Sequence, residues 1–179
     1  MIALLDRPER STELRARPGC GALVPEIDGP VHEYVPSSPG CWKAFAELQA
    51  DEASRFGYPP VHRVIVHAYM AQPPGDGGDR RHRQSVFVHL VGLCAVLERG
   101  LPSPYVTKLL GQVIRRRHRE FRVLERAEGP GPVTVLAMIG ASDLADHERR
   151  ADEWGECGAE LVERAARGHP RRARRRAQA

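Results

Sequence analysis

Seven side chains in this sequence stand out as able to hold a metal ion: Cys20, His32 and Cys41 near the N-terminus, then His62, His67, His89 and His147. Zinc takes four nitrogen or sulfur ligands in a tetrahedron, and closed structural sites draw them from loops and helix starts. Cys20 lies in Pro18-Gly19-Cys20-Gly21, the second half of a Cys-x-x-Cys-Gly knuckle, but Arg17 holds the partner position and cannot ligate. Cys41 falls near the third residue of an expected helix, where free amide donors and the helix dipole favour thiolate. The first group therefore reads as an incomplete knuckle for zinc or another divalent ion. Two packed or exposed thiols beside an unrelated histidine are the plain alternative.

The second group, to which His82 adds a further imidazole, is spread over several expected helices. Helix bundles build metal sites from inward side chains on facing helices. His62 and His67 are five residues apart, about 140° of helical rotation, so they do not serve one ion as an i, i+4 pair would. Burying several imidazoles costs free energy unless each finds a partner. A divalent ion is one such partner, and a water on it can act as nucleophile at neutral pH. A hydrogen-bond network with Tyr69, Gln72 and Ser85 is the other.

These side chains need elements to position them, and the chain reads as all-α: an irregular N-terminal loop or knuckle over 1–38, a bundle of about five helices over 39–167, and a basic tail over 168–179. Prolines and glycines crowd the first segment. Ser38-Pro39 looks like an N-cap with proline at the first helical position. Apolar spacing predicts helices near 39–56, 60–72, 83–99, 104–119 and 143–166, with Ser142 capping the last. Val133 to Ile139 fits a strand or a short helix equally. The 83–99 helix is apolar nearly all round and reads as the central one, with Leu90, Leu93, Cys94 and Leu97 in the core beside Val113 and Trp154. In the last helix Leu144, His147, Ala151, Trp154, Gly158, Leu161 and Ala165 step by three and four, the pattern of a bundle seam.

Charge is divided unevenly. Of 27 basic residues, seven are arginines between Arg164 and Ala179, leaving 20 against 23 acidic side chains in the rest. Arg171, Arg172, Arg174, Arg175 and Arg176 can meet phosphates, but no aromatics are interleaved to stack bases, and a solvated tail explains them as well. No apolar run reaches the roughly 18 residues a membrane span needs. The N-terminus carries no secretory signal, so a cytoplasmic address and reduced cysteines are expected. Phosphate-loop, Gly-x-Ser-x-Gly and His-Glu-x-x-His motifs are absent.

Several short motifs occur in order: Cys20-Gly21-Ala22, Asp28-Gly29-Pro30-Val31-His32, Ser38-Pro39-Gly40-Cys41-Trp42, Val61-His62-Arg63, Ala68-Tyr69, Gln72, Pro74-Gly75 and Gln84-Ser85-Val86-Phe87-Val88-His89-Leu90. Together they resemble a bacterial family of small proteins defined by a domain of unknown function. Its pattern reads Cys-Pro-x-Cys-Gly, Asp-Gly-Pro-x-His, Pro-Gly-Cys-Trp and Val-His-Arg-Leu-x-Val-Asp-Ala-Tyr-x-x-Gln-His-Pro-Gly. The resemblance covers roughly residues 17–155 and implies a fold and possible ligands, but no activity. Against that pattern Arg17 replaces a cysteine, His67 an aspartate and Pro73 a histidine. If the family binds metal there, this chain has lost two ligands and exchanged a third. The expected function is thus a small metal-binding helical protein, with a metal-dependent reaction of unidentified type in reach. The alternative is a non-catalytic interaction or regulatory module, with weak nucleic-acid association through the tail.

Overall fold

The computed structural model describes residues 13–17, 21–35, 37–72, 79–115 and 133–167, with side chains through Gly158. In chain order its elements are strands β1 (Leu14–Ala16) and β2 (Leu23–Pro25), then helices α1 (Pro39–Phe56), α2 (His62–Ala71), α3 (Arg80–Leu93), α4 (Ser103–Arg115), α5 (Val135–Met138) and α6 (Leu144–Arg167). Helix α3 continues into a π-helical turn, Cys94–Glu98. The architecture is mainly helical, as expected, with a small antiparallel hairpin added where only loop was read. Strands of three residues are too short to show an alternating pattern in sequence.

Local chemistry sets the limits of the helices. Ser38 caps α1 by accepting from the Cys41 amide at 3.3 Å, and Gly57 ends it in the left-handed region at φ 66°. At α6 the cap is Asp143 rather than Ser142. Its carboxylate accepts from the Asp146 amide at 2.9 Å, while Asp146 reaches back to the Ser142 amide at 3.0 Å, a reciprocal arrangement akin to a capping box. The ambiguous 133–139 segment is the short helix α5, capped by Thr134.

Helix α2 lies against both α3 and α6, and the aromatic centre of the core forms where α1 meets it. The Phe45 and Tyr69 rings stack with centroids 3.8 Å apart and planes 7° from parallel, and Trp154 of α6 meets Tyr69 edge-on. Ala22, Val24 and Val35 join the same cluster, so the hairpin and the turn after it are packed onto the helices. Gly155 and Gly158 let α6 come close. A Cβ at 155 would lie 2.6 Å from a Val64 methyl, and one at 158 would lie 2.8 Å from Leu93.

Leu90, Leu93 and Trp154 are core, whereas Leu97 and Val113 are only partly buried at its margin. Cys94 departs from expectation. The wider winding of the π turn carries it off the apolar stripe, and its thiol donates to Glu98 Oε2 at 3.1 Å. The expected extension of the fourth helix over 116–119, the side chains of Leu161 and Ala165, and the arginine tail lie outside the described residues. No helix among the described residues is long and apolar enough to cross a membrane.

Candidate functional site

Helix α2 carries His62 and His67 and sends them to different neighbours. His67 points to α3, where its Nδ1 lies 2.9 Å from Nδ1 of His89. The fit depends on Gly92, because a Cβ there would stand 2.5 Å from His67 Nε2. Burial, then the charge of His89, then that of Arg63 lower the pKa of His67 to about 3. Burial followed by the charge of His32 lowers that of His89 to about 4. Both rings are therefore neutral near pH 7, and one Nδ1–H donates to the other Nδ1. His67 Nε2 is buried and has no hydrogen-bond partner. A proton there would be an orphaned buried donor, so we assign His67 as the donor at Nδ1, which leaves His89 with its proton on Nε2.

His89 borders a cleft of about 580 Å³. One stripe of α3 forms its long wall: Arg80 and Arg81, then Gln84 and Ser85, then Val88 and His89 one turn further on. Tyr34 and Ile114 close it from the turn before α1 and from α4. The helix read as apolar nearly all round thus has two sides. Val86, Leu90 and Leu93 are buried, while the glutamine, serine and histidine face a cavity.

Behind the histidine pair, residues from distant motifs converge on Tyr69. The Tyr69 hydroxyl meets Cys41 Sγ at 3.5 Å, and the buried Arg17 guanidinium lies 5.1 Å from the ring centre. Burial pushes the Tyr69 hydroxyl well above its ordinary pKa, against an opposing effect of Arg17. The His32 ring packs at a tilt against Trp42, with centroids 5.1 Å apart, and its Nδ1 accepts the Tyr34 amide at 3.1 Å. Of the expected knuckle, His32 and Cys41 are thus placed in hydrogen-bonded surroundings, and Cys20 lies outside the described residues, as does Pro73.

His62 and His147 meet elsewhere, on a residue not anticipated from the sequence. Glu52 of α1 is fully buried, with Oε2 2.5 Å from His62 Nδ1 and Oε1 3.1 Å from His147 Nε2. Phe56 packs on the His147 ring and Tyr58, at φ 56°, on the His62 ring. A signal for Glu52 existed. Cys41, Phe45, Leu48 and Glu52 step by three and four along the buried face of α1. Gln72 does not join either group, since its Nε2 donates to the Val133 carbonyl at 2.8 Å.

The four bundle histidines therefore divide into two pairs instead of gathering at one point. Among the described residues no group of three or more histidine, cysteine, aspartate or glutamate side chains is arranged to hold a metal ion. Residues 15–163 match the profile of a family of unknown function (DUF5946). No curated protein and no solved structure matches the chain.

Proposed function

We propose that this chain, which belongs to the family of unknown function DUF5946, is a binding protein for a small organic molecule held in the cleft over α3. The observation that carries this reading is the neutral His89 at the cleft wall, fixed from behind by His67. A concave site with a few convergent polar groups and perturbed imidazoles is the usual form of a ligand pocket. Recognition suits it better than proton transfer. A general base works best with a pKa near the operating pH, and His89 sits at about 4. A neutral imidazole with its proton on Nε2 is instead a fixed donor aimed at an acceptor on the ligand.

The test is a fragment screen by ligand-observed NMR on the full chain, repeated on Ser85→Phe, which fills the cleft, and on His89→Phe. Hits lost in both variants support the reading. Hits that persist in both, or no hits from a metabolite-like set, end it.

A second reading keeps a divalent ion between His67 and His89. The two imidazole nitrogens are 2.9 Å apart, and a small opening of the pair would reach the roughly 3.3 Å between neighbouring ligands of a tetrahedral zinc with bonds of about 2.0–2.1 Å. Water or a cleft ligand would complete the coordination. Elemental analysis of protein purified without a chelating tag decides it: less than about one-tenth of an ion per chain removes the metal.

A further inference from the structure

We infer that the ligand of this cleft is an organic anion, a carboxylate or phosphate monoester on an apolar body, with Arg81 and Arg80 as its charge partners and Glu33 as a built-in competitor. The inference rests on the cleft being a binding site and specifies what it takes.

Three observations on the cleft wall carry it. The polar residues that line it, Tyr34, Arg80, Arg81, Gln84, Ser85 and His89, can all donate hydrogen bonds, and none is a carboxylate. Two of them carry full positive charge, and guanidinium forks match carboxylate and phosphate oxygens in geometry. A site with this many donors and two guanidinium groups suits a partner that only accepts, and a cation would meet repulsion from the arginines.

The second observation is what occupies the donors now. Glu33, on the turn beside Tyr34, reaches across to Arg81, with Oε1 2.9 Å from Nη1. The same carboxylate raises the pKa of the Tyr34 hydroxyl, through a side-chain hydrogen bond and then through its charge. The protein's own carboxylate thus already sits where the anionic group of a ligand would. Both partners are well exposed, Arg81 at 65% and Glu33 at 64%, so the pair is held weakly and exchanges readily. Asp79, next along the chain, caps α3 by accepting the Arg81 amide at 2.7 Å.

The third observation sets the rest of the molecule. Val88 and Ile114 give the cleft an apolar side, and Ile114 is 47% exposed, a large aliphatic surface left open at the cavity. The volume of about 580 Å³ is that of a site for a small organic molecule, well beyond what a bare inorganic ion fills.

Four probes with one ring and different head groups test this: phenyl phosphate, benzoate, benzyl alcohol and benzylamine, titrated while the His89 imidazole is followed by NMR. Both anions, or one of them, should bind, and the stronger of the two names the head group. Arg81→Met should weaken the anion about tenfold, and Glu33→Gln should tighten it several-fold, because the competing carboxylate is gone. Added salt should weaken the anions and leave benzyl alcohol unchanged. If benzyl alcohol or benzylamine binds as well as the anions, the anion assignment falls while the cleft stands. It also falls if neither Arg81→Met nor Glu33→Gln changes anion affinity. If no probe reaches His89 but the fragment screen finds a neutral ligand there, the anion assignment alone is lost. If nothing binds in either experiment, both readings are lost.

Discussion

Glu52 takes both His62 and His147, whereas among the described residues His67 and His89 hydrogen-bond each other. The two pairs share helix α2, and the contrast lies in what faces each imidazole. A buried carboxyl group offers two oxygens, so one side chain satisfies two rings and ties α1, α2 and α6 together. Among the described residues no carboxylate is hydrogen-bonded to the His67–His89 pair. There the rings settle by staying neutral, one donating to the other, and the second is left with a proton for the cleft. The first region behaves as a clamp and the second as a wall of a binding site. Buried histidines in one small core can thus serve opposite purposes, decided by whether a carboxylate lies within reach.

Removing the carboxylate is the strongest way to break this comparison. Glu52→Ala strands two imidazoles and should cost about 3–5 kcal/mol, the usual result of removing one partner from a buried polar pair. Urea unfolding measures it, and a loss under about 1 kcal/mol would mean the clamp holds nothing together.

Acid should act through the other pair. Folded-state values of about 3 for His67 and about 4 for His89 lie below the 6.5 of a free imidazole. Between those values the unfolded chain binds more protons, so this contribution to stability is complete above pH 6.5 and falls as pH drops towards 4. The loss from pH 7 to pH 5 is on the order of 3 kcal/mol. Unfolding midpoints at pH 7, 6 and 5 give the slope, and His67→Asn combined with His89→Asn should flatten it. An unchanged slope in the double variant would assign the acid sensitivity elsewhere.

Gly92→Ala probes the same pair by crowding. Its Cβ would sit 2.5 Å from His67 Nε2, so the ring must shift or α3 must move, at about 1–3 kcal/mol. The His89 resonances should move with it; if they do not, the two rings are not coupled. The smallest effect belongs to the cleft mouth. Arg81→Ala breaks an exposed ion pair and a loose contact with the Tyr34 ring, and should change stability by less than about 1 kcal/mol. A larger loss would make Arg81 part of the scaffold and blur the division between clamp and site.

Much of the scaffold was legible in the residues. Ser38-Pro39 marks the start of α1, Gly57 its end, and the four-and-three stepping of His147, Ala151 and Trp154 the buried face of α6. Such features depend on contacts within one turn, between residues three or four apart, so a chain read in order displays them. That histidines would be buried in polar company was legible too, from His147 on an apolar stripe. Which company was not. Glu52 and His147 are 95 positions apart, and His67 and His89 are 22 apart. No periodicity records how two helices cross, and an error of one position along a stripe turns a side chain by about 100°. The π turn that moves Cys94, and the two-sided α3 with its cleft, were likewise decided where helices meet. Composition and local spacing determined that this chain forms helices and, to within a few residues, where the longer ones lie. The pairing of acid with imidazole, and of arginine with an open cavity, was decided only by tertiary packing, because it depends on distances between segments that no local interaction sets.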